Sequence, residues 1–218
     1  QVSETALMLM MSLARRLPDM FEAQKAARWE RHMQSALFGK TLCILGLGNI
    51  SETLALYSKT LGMKVLGVSD SRIKASNVDF IYKRNALKVA AAESDFLVVL
   101  VPLSEKTHHI VNADVLSAMK PTAFVLNLAR GGCVDEAALI QALQTGVIAG
   151  AGLDVFEHEP LPQADPIWSA PNVVLTPHIA GFADIVAKQC LPTVIKNLKI
   201  YTKAGASGLN SAIPNRPR

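Results

Sequence analysis

Six short runs rich in Val, Ile, Leu and Ala recur along the chain, and their near-continuous apolar character is the strongest constraint on its fold. They are Thr41–Leu45, Lys64–Val68, 96–101, 123–126, 148–154 and Val173–Leu175. A strand that is apolar at every position, rather than at alternate ones, is buried on both faces, as in a parallel sheet covered by helices. Residues 49–61, 113–119 and 134–145 between these runs have helical spacing, and Gly62 and Gly146 stand past the ends of the first and third. The alternation predicts an α/β fold built on a doubly wound parallel sheet. Residues 71–91 carry little pattern beyond a short strand expected at 79–82.

Outside the alternating region the chain is predicted to be helical. Residues 6–14 form a helix apolar around much of its circumference, which needs cover from another domain or a second subunit. A more polar helix is expected over 21–37, with Trp29 as a packing residue and Gly39 closing it. Residues 183–201 read as a helix interrupted by Pro192, and the tail from 205 to 218, with its Gly, Ser, Asn and Pro, as loosely held.

With 218 residues, half of them hydrophobic, the chain can bury a large core as one domain. The excess of 22 Lys and Arg over 18 Asp and Glu is small and scattered, without the basic runs and interleaved aromatics of a nucleic-acid face. Cys43, Cys133 and Cys190 are odd in number and widely spaced, which suggests neither a disulfide framework nor a zinc site; a reducing, cytoplasmic setting and no metal are expected. The longest apolar runs, such as 96–103, are too short for a membrane span. The chain begins with Gln1 inside an apparent helix, so it is expected to be a piece of something longer.

Between the first strand and the next helix lies GLGNIS, residues 46–51. In a GxGxxG turn the first glycine makes the tight turn, the second admits a pyrophosphate to the backbone, and the third lets helix and strand pack. Here Gly46 and Gly48 are present and Ser51 holds the third place. A phosphate would sit at the positive N-terminus of the helix beginning near Asn49. Asp70 follows Gly48 by roughly twenty residues, the offset at which a carboxylate binds the adenosine ribose of NAD. Arg72 suits the 2′-phosphate of NADP instead, and repulsion from Asp70 favours NAD; Asp70 as a loop cap beside a solvated Arg72 is the competing reading.

Three further settings carry chemistry: NLARGG around Arg130, GLDVFEHEP around Glu159, and TPHIAG around His178. A cation to polarise a carbonyl, a proton donor, and a carboxylate to orient that donor are what hydride transfer to a ketone requires, since negative charge develops on oxygen. His178 follows a buried strand, at whose carboxyl end open α/β sheets bind ligands. His108, His109 and His158 read as structural. Arg130 could instead pair with Asp135 or Glu136 at the surface, and Asp154 could simply accept loop N–H groups.

GLGNI, VPLSEKTHHI, MKPTAFVLNLARGGCVDEAALIQAL, GAGLDVFEHEPLP and NVVLTPHIAG, in this order, resemble the nucleotide-binding domain of the D-isomer-specific 2-hydroxyacid dehydrogenases, and the resemblance runs from about residue 1 to 201. It implies a Rossmann-type domain over 39–182, a helical linker and dimerisation segment over 1–38, a C-terminal helix over 183–204 and a loose tail over 205–218. It also implies that Arg130 holds the substrate carboxylate and carbonyl oxygen, that His178 is the general acid/base, and that Glu159 stands behind it. Glu157 competes for that last role, and the EP dipeptide selects Glu159. Asp154 is implied to face the nicotinamide amide. The NAD contacts are expected at Gly46, Gly48, Asn49, Ile50, Ser69, Asp70, Arg72, Val101, Pro102, Thr107, Leu128, Ala129, Asp154 and Gly181, with NADP as the alternative cofactor.

The activity so implied is interconversion of a small 2-keto acid and its D-2-hydroxy acid in a homodimer, without nucleic-acid or membrane partners. A corepressor-like, dinucleotide-sensing interaction module is the rival; a domain for another nucleotide, such as S-adenosylmethionine, leaves the three matched settings unexplained. Two departures stand out. Ser51 replaces the third glycine, and the family's N-terminal substrate domain does not precede this region, so poor turnover of the chain as given is expected.

Overall fold

The computed structural model describes residues 1–208, with side chains through 205, and the chain falls into two units, Gln1–Ala180 and Gly181–Arg218. In the first unit seven strands, β1 (Thr41–Leu45), β2 (Lys64–Val68), β3 (Phe80–Tyr82), β4 (Phe96–Val99), β5 (Phe124–Asn127), β6 (Gly150–Leu153) and β7 (Val173–Leu175), form one sheet in the order β3-β2-β1-β4-β5-β6-β7. Every neighbouring pair is parallel. The doubly wound sheet expected from the apolar runs is therefore present.

Alternate strand residues feed two cores. Cys43, Leu45, Leu97, Val99 and Val125 pack with α4 (Leu87–Glu93), α5 (Ala113–Ala118) and α6 (Glu136–Gln144). Leu42, Ile44, Phe96, Val98 and Leu126 pack on the opposite face with α1 (Val2–Ala14) and α3 (Asn49–Thr60). Cys43 is part of this interior, and burial pushes its thiol up to about 12.

Several expectations need correction. The apolar face of α1 is covered by the domain's own sheet, through Ala6, Leu9 and Met10, and needs neither another domain nor another subunit. The second helix, α2, spans only Leu17–Lys25; Ala27 has φ +50 and residues 28–36 have no regular structure. That stretch, RWERHMQSA, lacks an apolar stripe at helical spacing, so nothing pays the cost of ordering it as a helix. Trp29 does not pack: it is 94% exposed. The helix α4 lies within the unpatterned stretch and just beyond it. Strands β4 and β6 are shorter than the apolar runs, because their flanking residues already turn toward the loops.

In the second unit, α7 spans Val186–Gly208 and continues through Pro192 rather than breaking there, with non-helical backbone only at Gly205. A single proline removes one hydrogen bond from a helix of this length. The expected loose tail lies, from residue 209 onward, outside the described residues. Among the described residues no helix is long and apolar enough to cross a membrane.

Candidate active site

The sheet's chain order reverses between β1 and β4, so the loops after these strands open a crevice at their carboxyl ends. Gly46 has φ +103, and a Cβ there would stand 2.8 Å from both the backbone N and Cγ1 of Val101. The close approach of the two loops thus needs glycine. Around Gly48 the situation is opposite: an added Cβ would meet nothing within 4 Å, leaving open space for a ligand against the backbone. The N–H groups of Asn49, Ile50 and Ser51, in the first turn of α3, have no helical carbonyl to bond and carry the positive end of the helix dipole. Buried Ser51 fits without strain: its Oγ accepts the Gly48 N–H and donates to the Gly48 carbonyl, both at 2.6 Å.

At the end of β2, the Asp70 carboxylate accepts the Arg84 N–H at 3.0 Å and pairs with the Arg84 guanidinium at 3.3 Å, while Lys83 donates to the Asp70 carbonyl. Arg72 pairs with Glu52 of α3, and Ser69 Oγ accepts the Arg72 N–H. Sequence reasoning missed Lys83 and Arg84. The available signal was their position just past the short strand expected at 79–82, which pairs with β2. After β4, Val101 packs on Gly46, and Thr107 Oγ1 donates to the Pro102 carbonyl and accepts the Ser104 N–H, shaping the loop. Leu128 and Ala129 follow β5 and are buried. Gly181 opens the second unit.

The residues expected to carry the chemistry stand on the next three loops. Asn127, at the end of β5, accepts the Ala129 N–H and donates to the Arg130 carbonyl, which leaves Arg130 exposed at the crevice rim. Arg130 makes no ion pair with Asp135 or Glu136; its guanidinium donates to the Ala129 carbonyl at 2.6 Å. At the end of β6, buried Asp154 accepts from Thr176 Oγ1 (2.6 Å), Ile179 N–H (3.0 Å) and Ala180 N–H (2.9 Å). Its carboxylate therefore organises the turn that presents His178, whose own N–H donates to the Asp154 carbonyl. His178 has φ +54, a left-handed backbone uncommon for residues other than glycine, and the bonds around Asp154 hold it there.

Of the two competing glutamates, Glu159 reaches the histidine: its Oε2 lies 2.6 Å from His178 Nδ1, while Oε1 accepts the Phe156 N–H at 2.9 Å. Glu157 bonds His109 instead. Partial burial pushes the Glu159 carboxyl up. The His178 ring, the Phe156 N–H, and the charges of His178 and Arg130 outweigh that and hold it below the ordinary value of 4.5. A carboxyl lowered on folding contributes stability that is full above its unfolded value and is lost as pH falls through its folded one. The melting temperature is therefore expected to fall more steeply below pH 4.5 in the native chain than in Glu159→Gln, as followed by circular dichroism. Parallel curves would remove the pair from the acid transition.

Beside this pair a cleft of about 680 Å³ is lined by Phe156, Leu161, Trp168, Leu175 and Pro177 together with Glu159 and His178. Among the described residues no three His, Cys, Asp or Glu side chains converge as metal ligands would.

Residues 7–180 match the family model described as the D-isomer specific 2-hydroxyacid dehydrogenase, NAD binding domain. The chain belongs to this family. A glyoxylate/hydroxypyruvate reductase B from Serratia proteamaculans is 41% identical over 186 residues, which are 83% of this chain and 57% of that protein. The chain thus spans just over half the length of such curated relatives. Among solved structures, a D-isomer specific 2-hydroxyacid dehydrogenase family protein from Aeromonas salmonicida superposes with a TM-score of 0.86 at 37% identity, covering 93% of this chain and 64% of that one. The enzyme of the same family from Xanthobacter autotrophicus, in complex with NADPH and MES, gives 0.82 at 35% identity, covering 94% and 83%. These likenesses place the dehydrogenase-family domain on the same Rossmann-type sheet described above.

Proposed function

We propose that this chain carries the coenzyme-binding and chemical residues of a nicotinamide-dependent reductase of small 2-keto acids, forming D-2-hydroxy acids. The observation that carries this reading is the Glu159–His178 pair at 2.6 Å, on the loops at the carboxyl ends of the sheet strands and beside the crevice of Gly46 and Gly48. The residues at that crevice suit a dinucleotide: space at Gly48, unpaired N–H groups on α3, and Asp70, Lys83, Arg84 and Arg72 at the ribose end. When bound, the dinucleotide supplies the hydride. Arg130 binds the substrate carboxylate and polarises the ketone oxygen through its planar fork. His178, with Nδ1 held by Glu159, delivers a proton from Nε2 to that oxygen and takes one back in the oxidative direction. Relatives named glyoxylate/hydroxypyruvate reductase support glyoxylate and hydroxypyruvate as first substrates to try.

Titration of the chain with NADH and NADPH, followed by those two acids, tests the reading. Tighter NADH supports ribose recognition by Asp70; tighter NADPH supports phosphate recognition by Arg72, Lys83 and Arg84. Gly46→Ala, which forces a Cβ onto Val101, is expected to abolish coenzyme binding. Absence of binding by the native chain, or equal binding by the variant, defeats the proposal.

We also infer a homodimer. Trp29 and Met33 are 94% and 93% exposed on the irregular segment after α2, an amount of bare apolar surface that favours burial against another subunit. Changing both to Glu is expected to turn a dimer into a monomer in sedimentation velocity. A native chain that sediments as a monomer at tens of micromolar refutes the inference.

A further inference from the structure

The loops that leave β4, β5 and β6 are tied together by groups that the proposed chemistry does not use. The Glu157 N–H donates to Glu136 Oε1 at 2.7 Å, and the Glu136 N–H points back to Glu157 Oε1 at 3.4 Å. The same Glu157 oxygen lies 2.8 Å from His109 Nε2, and the other His109 ring nitrogen is 4.0 Å from Asp135. Backbone bonds complete the join: His109 N–H to the Gly132 carbonyl at 2.8 Å, and Asp135 N–H to the Val111 carbonyl at 3.0 Å.

Glu136 is the first residue of α6, where a glutamate usually earns its place by facing solvent near the helix's positive end. Here it is buried instead, with Glu157 close by. Burial pushes its carboxyl up, the Glu157 N–H pulls it down, the charges of Glu157 and Asp165 push it up again, and His158 opposes them. An arrangement this costly for helix stability alone has a better account in what it holds. The Glu157 N–H is one residue from the Phe156 N–H, which grips Glu159 Oε1, and the other Glu159 oxygen grips His178.

We propose that Glu136, Glu157 and His109 form a clamp that locks the loop carrying Glu159 onto the loop carrying Arg130. They are positioning residues: they set the separation between the cation that polarises the carbonyl and the histidine that protonates it. The proposal rests on the roles assigned above to Arg130, Glu159 and His178.

Glu136→Ala removes the acceptor for the Glu157 N–H, whereas Glu136→Gln keeps an acceptor without the charge. Turnover number is expected to fall on the order of tenfold or more in Glu136→Ala, with coenzyme KM unchanged, and to recover in Glu136→Gln. Two readouts need no turnover: amide hydrogen exchange at Phe156 and Glu157, and the deshielded proton resonance of His178 Nδ1–H, identified by its loss in His178→Gln. In Glu136→Ala both amides should exchange faster and the resonance should broaden or shift, while Glu136→Gln retains the native pattern. Native exchange and an unmoved resonance in Glu136→Ala overturn the clamp, whatever the activity. If His178→Gln turns over as the native chain does, the assigned chemistry fails, and these two readouts still decide the clamp. If Glu136→Ala does not fold, His109→Asn, which tolerates the left-handed backbone at this position (φ +48) but is too short to reach Glu157, gives the same comparison.

Discussion

Replacing His178 with Gln is expected to lower the turnover number about a thousandfold while leaving coenzyme affinity unchanged, because general acid catalysis by a positioned side chain contributes roughly 10²–10⁴ in rate. Gln can occupy much of the space, but it cannot deliver a proton. The coenzyme turn at Gly46 and Gly48 lies on other loops and is untouched by the change. Stopped-flow hydride transfer from NADH or NADPH, together with equilibrium titration, separates the two effects. Turnover within a few fold of the native chain would remove His178 from the chemistry. Weakened coenzyme binding with intact turnover would give it a binding role instead. The rival, a dinucleotide-sensing interaction module, expects partner binding to survive this substitution.

The second large effect is expected at Gly131, beside Arg130. A Cβ built there would stand 1.9 Å from the Phe156 carbonyl carbon, 2.0 Å from its oxygen and 2.2 Å from the Glu157 nitrogen. These are backbone atoms, and no rotamer change can relieve the overlap. Gly131→Ala must therefore drive apart the loops carrying Arg130 and Glu159. A displacement of about 1 Å in a reacting geometry costs on the order of a hundredfold in rate. Overpacking of this kind also costs about 1–3 kcal/mol of stability or more, so the melting temperature should drop by several degrees. Circular dichroism establishes that the variant is folded before kinetics are compared. Native melting and native turnover together would show that the two loops are not held in register by this contact.

The sequence disclosed the sheet more completely than its surroundings. Strands β1 and β2 match their apolar runs at both ends because an interior parallel strand has no amphipathic ambiguity to resolve, and β7 at the sheet edge matches its run as well. The start of α6 was misjudged by two residues although Asp135, which accepts the Ala138 N–H as a cap, was available as a marker. For α4 no such marker exists: its N-cap is Ala86, with no capping side chain. In the site, the motif around Glu159 pointed to the histidine's partner because the family pattern distinguishes it from Glu157. Lys83 and Arg84 were harder to single out, because their position past a short strand gains meaning only from β3 pairing with β2. Glu136, Glu157 and His109 lie 21 and 48 residues apart in the chain, and only the convergence of three loops brings them together.

The sheet also bears on how this protein avoids fibrous association. Both outer strands, β3 and β7, are only three residues long, so neither margin offers an extended row of free backbone donors and acceptors. A neighbouring molecule would find little template for adding a strand. Self-association of this unit is thereby steered away from open-ended β-pairing and toward side-chain contacts, which can close into a finite oligomer.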